Sequence, residues 1–307
     1  MQPEARAPAA AVTRPAPPAV LPYAAMGVGV LALGLSAILV RWAAAPGPVT
    51  GLYRMGLASL FLTPFVLLNR RRRAWPRAGW QVALLGGALL SLDLAAWNTA
   101  VNITTAANAT LFANTAPLWV ALAARLLFGE RLSGRFWSGL WLTLAGVAAV
   151  LGSDFLAHPD LGWGDLLALG AGVFYAGYYL CTQIGRRTLD PLAYVWLAGL
   201  ASTVSLLTMS TGLGLPLTGY PPQTYLAFLG LALITQVGGY VAVGYALGHL
   251  PAAVVAPTMV GQPVVTALLA IPLLGESLSL AQWLGGAAVI AGVLIVHRAH
   301  GAPVASG

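Results

Sequence analysis

The stretch GERLSGRFWSGLWLTLAG at residues 129–146 recurs as GESLSLAQWLGGAAVIAG at residues 275–292. The match extends without a gap over 100–150 and 246–296, so that each position lies 146 residues before its counterpart. Residues of uncommon type coincide in the two copies, namely Pro117 with Pro263, Glu130 with Glu276 and Trp137 with Trp283. Composition alone does not align a Glu and a Trp. The two halves are therefore copies of one unit, and this repeat decides the architecture.

The composition indicates an integral membrane protein. Hydrophobic residues make up 59% of the 307 residues and charged residues only 7%, a balance that excludes a soluble globular domain. A membrane-spanning helix needs about 20 mostly apolar residues. Ten stretches meet this requirement, and their length predicts helices rather than barrel strands: 22–44, 48–68, 80–101, 106–127, 136–153, 163–184, 192–211, 223–247, 252–274 and 281–297.

The basic residues indicate the orientation of these spans. All fifteen are arginine, and if the N terminus is cytoplasmic, thirteen of them fall at cytoplasmic ends of spans. Asp154, Asp160 and Asp165 fall on the other face. The positive-inside rule then predicts that both termini are cytoplasmic, which requires an even number of spans. We expect a multi-pass protein of a bacterial inner (plasma) membrane, and its net charge of +7 does not indicate a nucleic-acid partner.

Ten spans in two copies give five per copy, and because five is odd the second copy enters the membrane from the opposite side. The predicted fold is an all-α integral membrane protein with ten transmembrane helices in two inverted five-helix repeats. The repeats cover 22–153 and 163–298, with a disordered tail at 1–21 and a short tail at 299–307. Inverted repeats are typical of secondary transporters, whose substrate site lies near the bilayer midplane between the halves.

Each unit has a proline in its fourth helix, a Gly-Glu at the end of that helix and a glycine-rich fifth helix. In these features the chain resembles the EamA family of the drug/metabolite transporter superfamily, over nearly all of its length after residue 21. Leu52-Tyr53-Arg54-Met55 also resembles the arginine-bearing second helix of that family. The resemblance implies a ten-helix transporter that exports amino acids or similar small metabolites.

Arg41, Arg54 and Asp93 are charged residues within predicted spans, where each charge costs at least about 2.5 kcal/mol on insertion scales. Arg54 and Asp93 share a depth, roughly 9–10 Å below the outer ends of their helices. Two interpretations stay open for them: a structural ion pair, or binding of substrate, with Asp93 also as the proton carrier. Arg41 is expected to extend to the lipid headgroups. The excess of positive charge in the outer half suits a carboxylate on the cargo.

Polar residues also lie near the two repeated prolines, since Asn114 precedes Pro117 and Gln262 precedes Pro263. A proline removes a backbone donor and frees a carbonyl one turn back, so both prolines are expected to act as hinges beside a cavity. Each of these polar side chains either contacts cargo or bonds a neighbouring helix. The remaining candidates for substrate binding are Trp97, Asn98, Tyr175, Tyr179, Gln236 and Tyr240.

Tyr175, Tyr178 and Tyr179 fall on one face of the sixth span, and flat apolar or aromatic cargo would fit if that face lines the cavity. Glu130 and Glu276 are duplicated, which favours an architectural role. The fifth and tenth spans are rich in small residues and are expected to pack against their own half or against a second protomer. A homodimer is thus one of the two arrangements.

Two alternatives to transport remain, a membrane-embedded enzyme acting on lipid or prenyl substrates and a non-transporting scaffold. An enzyme needs clustered His, Asp or Glu at a membrane face, but the four histidines are scattered and Cys181 has no second cysteine. Neither GxxxxGK[ST] nor GxSxG is present. We therefore expect no catalytic residue, cofactor or metal, and expect a carboxylate-bearing small molecule and membrane lipid as partners.

Overall fold

The computed structural model describes residues 20–70, 75–103, 106–157, 162–274 and 278–301. Regular structure in these ranges is helical, and ten long helices match the ten predicted spans to within a few residues. The helices are α1 (Val20–Gly34 and Ser36–Ala43), α2 (Gly47–Arg70), α3 (Arg77–Ile103), α4 (Ala106–Ala113 and Ala116–Leu127), α5 (Gly134–Ala157), α6 (Trp163–Gly185), α7 (Pro191–Gly212), α8 (Pro222–Gly230, the π-helical Leu231–Tyr240 and Val241–Leu247), α9 (Ala252–Met259 and Gln262–Leu274) and α10 (Leu280–Gly301).

Nine helices in the described part of the chain are long and apolar enough to cross a membrane. The remaining helix, α6, has 23 residues, and its apolar character is lowered by three tyrosines and by Thr182 and Gln183. Because α6 packs against α3, α4, α8 and α9, these polar groups face protein rather than lipid, where they are tolerated. The ten-helix membrane fold expected from the sequence is the fold observed.

Helices α4 and α9 are interrupted at equivalent positions. The breaks fall at Asn114–Thr115 and at Val260–Gly261, just before the repeated Pro117 and Pro263. Each interruption lies where the missing proline N–H and its clash with the preceding turn predict one. Whether the two prolines act as hinges stays a prediction.

Two further helices depart from regular α geometry. Helix α1 is interrupted at Leu35, and the carbonyl of Gly34 accepts a hydrogen bond from the Thr266 hydroxyl of α9 at 2.7 Å. Helix α8 is π-helical over ten residues in its middle. π-Helical turns are rare and often lie at functional sites, and this one carries two of the candidate residues, Gln236 and Tyr240.

The helix packing has the same pattern in both halves. Helix α5 packs on α10, α2 on α7 and α4 on α9, so that equivalent helices contact each other. The cross pairs also match, since α3 packs on α6 and its counterpart α8 packs on α1. Each of these contacts made by a helix of one half therefore has an equivalent contact made by the corresponding helix of the other half, as expected for a duplicated unit.

Helices α5 and α10 meet through glycines. A β-carbon on Gly146 would lie 2.7 Å from the carbonyl oxygen of Gly285, and one on Gly139 would lie 2.9 Å from that of Gly292. Small residues allow helix backbones to approach this closely in lipid. Each of these helices packs on the fourth helix of its own half, as one of the two expected arrangements has it, and also on its counterpart from the other half, which was not expected. This glycine face therefore gives no support to a homodimer.

We expect Gly292→Val to lower thermal stability. A β-carbon at Gly292 would lie 2.7 Å from the Gly139 carbonyl oxygen, and overpacking of this kind costs about 1–3 kcal/mol. The measurement is the melting temperature of the purified protein in detergent. Gly27→Val is the matched control, since a β-carbon at Gly27 meets nothing within 4 Å. Equal melting temperatures for the two variants would contradict the close packing of α5 on α10.

The repeated Gly-Glu dipeptide forms a helix end in the first half. Gly129 has a φ of 65°, a conformation that favours glycine, and the Glu130 amide donates to the Ala124 carbonyl of α4 at 3.1 Å. This arrangement is typical of a glycine-terminated helix. The architectural role expected at this position thus belongs to the glycine. Predictions for Glu276 and for most of the N-terminal tail fall outside the described residues.

Candidate substrate cavity

A cavity of about 420 Å³ lies between the two halves. Helices α1, α2, α3, α4 and α5 line it from the first half, and α6, α8, α9 and α10 line it from the second. Its volume falls within the range of roughly 300–1,000 Å³ that is usual for ligand pockets. The interruptions of α4 and α9 both border this cavity, as expected for polar backbone exposed within a membrane protein.

The cavity extends from the middle of the bundle to one end. Asp93 and Tyr175 line its deep part, whereas Arg41, Leu151 and Gln282 line it near the ends of α1 and α5 and the start of α10. These three residues lie on the same side of the bundle, which we call the open end. The opposite end, at which α6 and α8 finish, is called the closed end.

Aromatic and aliphatic side chains fill the closed end. Tyr178, Tyr194 and Leu247 are buried there in the main core cluster. Arg186, just after α6, donates from Nε to the Gly244 carbonyl of α8 at 2.7 Å and also donates to the Leu189 carbonyl. Among the described residues, none of these closed-end residues lines the cavity.

Arg54 is the deepest cation of the cavity and is held by three contacts. Its Nε donates to Gln236 Oε1 at 3.2 Å, its Nη1 donates to the Ser36 hydroxyl at 3.1 Å, and its guanidinium carbon lies 5.3 Å from the centre of the Tyr240 ring. The side chain is only 5% exposed. These contacts do not use all five N–H groups of the guanidinium, so donors remain for cargo. Gln236 does not line the cavity and instead positions Arg54.

Asp93 lines the same cavity but has no partner in the described part of the chain. It is 8% exposed and forms neither a hydrogen bond nor an ion pair with a described residue. The structural ion pair with Arg54 that the sequence left open is not formed, because Arg54 bonds Gln236 and Ser36 instead. A buried carboxylate without a partner is costly, which favours a role in binding.

Three tyrosine hydroxyls form a connected group on the cavity wall. The Tyr175 hydroxyl lies 3.1 Å from that of Tyr179 and 3.3 Å from that of Tyr240. Two hydrogen bonds among three hydroxyls leave one O–H free to donate. All three residues line the cavity, whereas Tyr178 is buried behind them. The tyrosine face of α6 therefore turns toward the cavity, as required for the expected aromatic cargo.

The remaining candidates divide into two groups. Trp97, Asn114, Pro117, Gln262 and Pro263 line the cavity. Asn114 donates to the Thr110 carbonyl at 2.8 Å, but the Gln262 amide forms no hydrogen bond with a described residue. Asn98 does not line the cavity, because its amide donates to the Gly47 carbonyl of α2 at 3.2 Å.

Several cavity residues were not among the sequence candidates. Arg41, which was expected to reach the headgroups, also lines the cavity near the open end. The charge of Arg41 within a predicted span was the feature of the sequence that could have indicated a place in the cavity. Ser36, Thr110, Thr266 and Gln282 also line the wall, and small polar residues of this kind give no signal in a sequence. Within the described ranges, His, Cys, Asp and Glu form no group of three that could hold a metal ion.

Comparison with known proteins agrees with this architecture. The model of the EamA-like transporter family matches the chain twice, over residues 21–152 and 162–298. A solved crystal structure superposes with a TM-score of 0.72 at 19% identity, covering 90% of this chain and 96% of that one. The fold is thus a known one.

Curated relatives carry transporter names. An uncharacterized transporter of Archaeoglobus fulgidus is 30% identical over 79% of this chain and 85% of its own length. A probable terminal-alkyne amino-acid exporter of Streptantibioticus cattleyicolor is 27% identical over 85% of this chain and 91% of its own. The uncharacterized inner membrane transporter YedA of Escherichia coli is 27% identical over 78% of each chain. This multi-pass membrane protein therefore belongs to the EamA-like transporter family.

Proposed function

We propose that the protein is a secondary transporter that exports small metabolites, and specifically amino acids, across the bacterial inner membrane. One observation carries the proposal: Arg54 and Asp93 line a single cavity between the halves without pairing with each other. Opposite charges held apart in one cavity suit a cargo that carries both charges. The relative named as a probable amino-acid exporter supports the same cargo class.

The cavity offers complementary groups for each part of an amino acid. The charged guanidinium of Arg54 suits a carboxylate, which guanidinium binds through paired hydrogen bonds. Trp97 and the tyrosines of α6 supply aromatic surface for a flat or apolar side chain. The unbonded amide of Gln262 can fix the orientation of the cargo.

Alternating access is the mechanism that we propose. The symmetric packing of α5 on α10, α2 on α7 and α4 on α9 supports two inverted repeats, whose exchange of conformations would close the open end and open the closed end. The arginine-rich closed end is assigned to the cytoplasm by the positive-inside rule. Both termini then lie in the cytoplasm, and the cavity faces the periplasm in this conformation.

Proteoliposome flux tests this function. We expect at least one radiolabelled amino acid, from a panel covering aromatic, aliphatic and polar side chains, to move faster than through protein-free liposomes. Efflux of that amino acid should also exchange with unlabelled amino acid on the other side, because alternating access supports exchange. The matched control is the Arg54→Gln protein in the same lipid. Background flux for every amino acid would refute amino-acid transport.

A further inference from the structure

We propose that Asp93, together with Tyr175 and Tyr179, forms a subsite for an ammonium group of the cargo. The inference rests on the proposed function, since it names the chemistry by which the same cavity recognises its cargo. It goes beyond carboxylate recognition, because a cargo that carries only an ammonium group would satisfy this subsite.

The first support is the isolation of the Asp93 carboxylate. It lines the cavity while more than nine-tenths buried, and no described residue donates to it. A carboxylate withdrawn from water is compensated by a cation, by hydrogen-bond donors or by uptake of a proton. A group of the cargo in the cavity can therefore act as the partner of Asp93.

The second support is the way in which Arg54 is held. Gln236, Ser36 and the Tyr240 ring contact the guanidinium on separate sides. These contacts fix Arg54 at a position from which it does not reach Asp93. The two charges therefore remain available for two different groups of one cargo.

The third support is the aromatic corner beside Asp93. The rings of Tyr175 and Tyr179 are 4.7 Å apart at their centres and inclined at 62°, and both residues line the cavity. Asp93 lines the same cavity as these two rings. Aromatic faces attract ammonium groups through their quadrupoles. A carboxylate beside two inclined rings therefore favours an ammonium group over a neutral one.

Three matched probes separate the two charge interactions. Phenethylamine carries the ammonium group of phenylalanine without its carboxylate, 3-phenylpropanoate carries the carboxylate alone, and 2-phenylethanol carries neither. Binding to the purified full-length protein in detergent is measured by calorimetry. We expect phenethylamine to bind the wild-type protein and 2-phenylethanol to bind at least about tenfold more weakly, as for loss of a hydrogen bond to a charged group.

Variants then assign the subsite. Asp93→Asn should weaken phenethylamine binding by about 10–100-fold and should not weaken 3-phenylpropanoate binding, because it removes a like charge. Asp93→Glu should retain phenethylamine binding because it keeps the charge. The comparison of phenethylamine with 2-phenylethanol needs no variant, so the proposal remains testable if Asp93→Asn does not fold.

Two results would overturn the subsite. One is phenethylamine binding no tighter than 2-phenylethanol, and the other is equal phenethylamine binding by the wild type and Asp93→Asn. Either result, obtained with measurable amino-acid flux, removes the subsite and leaves the proposed function standing. Phenethylamine binding that depends on Asp93, obtained without flux of any amino acid, removes amino-acid transport and leaves the subsite.

Discussion

Arg54→Gln is expected to cause a large loss of amino-acid flux while the protein still folds and inserts. Glutamine keeps a donor near Gln236 and Ser36, but it removes the charge and the remaining guanidinium donors from the cavity. A hydrogen bond to a charged group contributes about 1.5–3 kcal/mol, so losing the carboxylate contacts should reduce flux by at least about tenfold. The measurement is initial flux in proteoliposomes containing equal amounts of inserted protein.

Arg41→Gln is the control that tests whether the loss of any positive charge from the cavity is enough to lower flux. Arg41 is an exposed cation that lines the cavity near the open end, without a hydrogen bond to a described residue. Its replacement should leave most of the flux. If Arg54→Gln instead aggregates and shows a large fall in melting temperature, Arg54 has a structural role. Comparable losses of flux in both variants would point to a general electrostatic effect.

The sequence predicted the fold well because duplicated residues carry backbone information. Pro117 and Pro263 marked the two helix interruptions, and Gly129 marked the end of α4. Gly139 and Gly146 repeat as Gly285 and Gly292, the same spacing on one face of each helix. An axis that relates the two halves brings equivalent faces together, so the pairing of α5 with α10 followed from the repeat and was missed.

Side-chain directions within the cavity were harder to predict. In a membrane protein, apolar residues face both lipid and protein, so hydropathy does not fix the rotation of a helix about its axis. Asn98 and Gln236 consequently looked like cavity residues, yet they bond Gly47 and Arg54. In α8 the π-helical segment changes the hydrogen bonding from i→i+4 to i→i+5, which shifts the face on which Gln236 and Tyr240 lie relative to a regular helix. No residue pattern in the sequence predicted the π-helical segment.

Asp93→Asn is expected to remove the response of transport to a proton gradient. One carboxylate holds either a proton or the ammonium group of the cargo, so arrival of one releases the other, and cargo leaving the cell would exchange for protons that enter. In everted vesicles an acidic lumen should therefore accelerate amino-acid uptake by the wild type and by Asp93→Glu, and an ionophore that collapses the gradient should abolish the acceleration. Residual uptake by Asp93→Asn should be the same with and without the gradient, since an amide takes up no proton at these pH values. Gradient-accelerated uptake in Asp93→Asn would place the proton on another group and leave Asp93 with cargo binding alone.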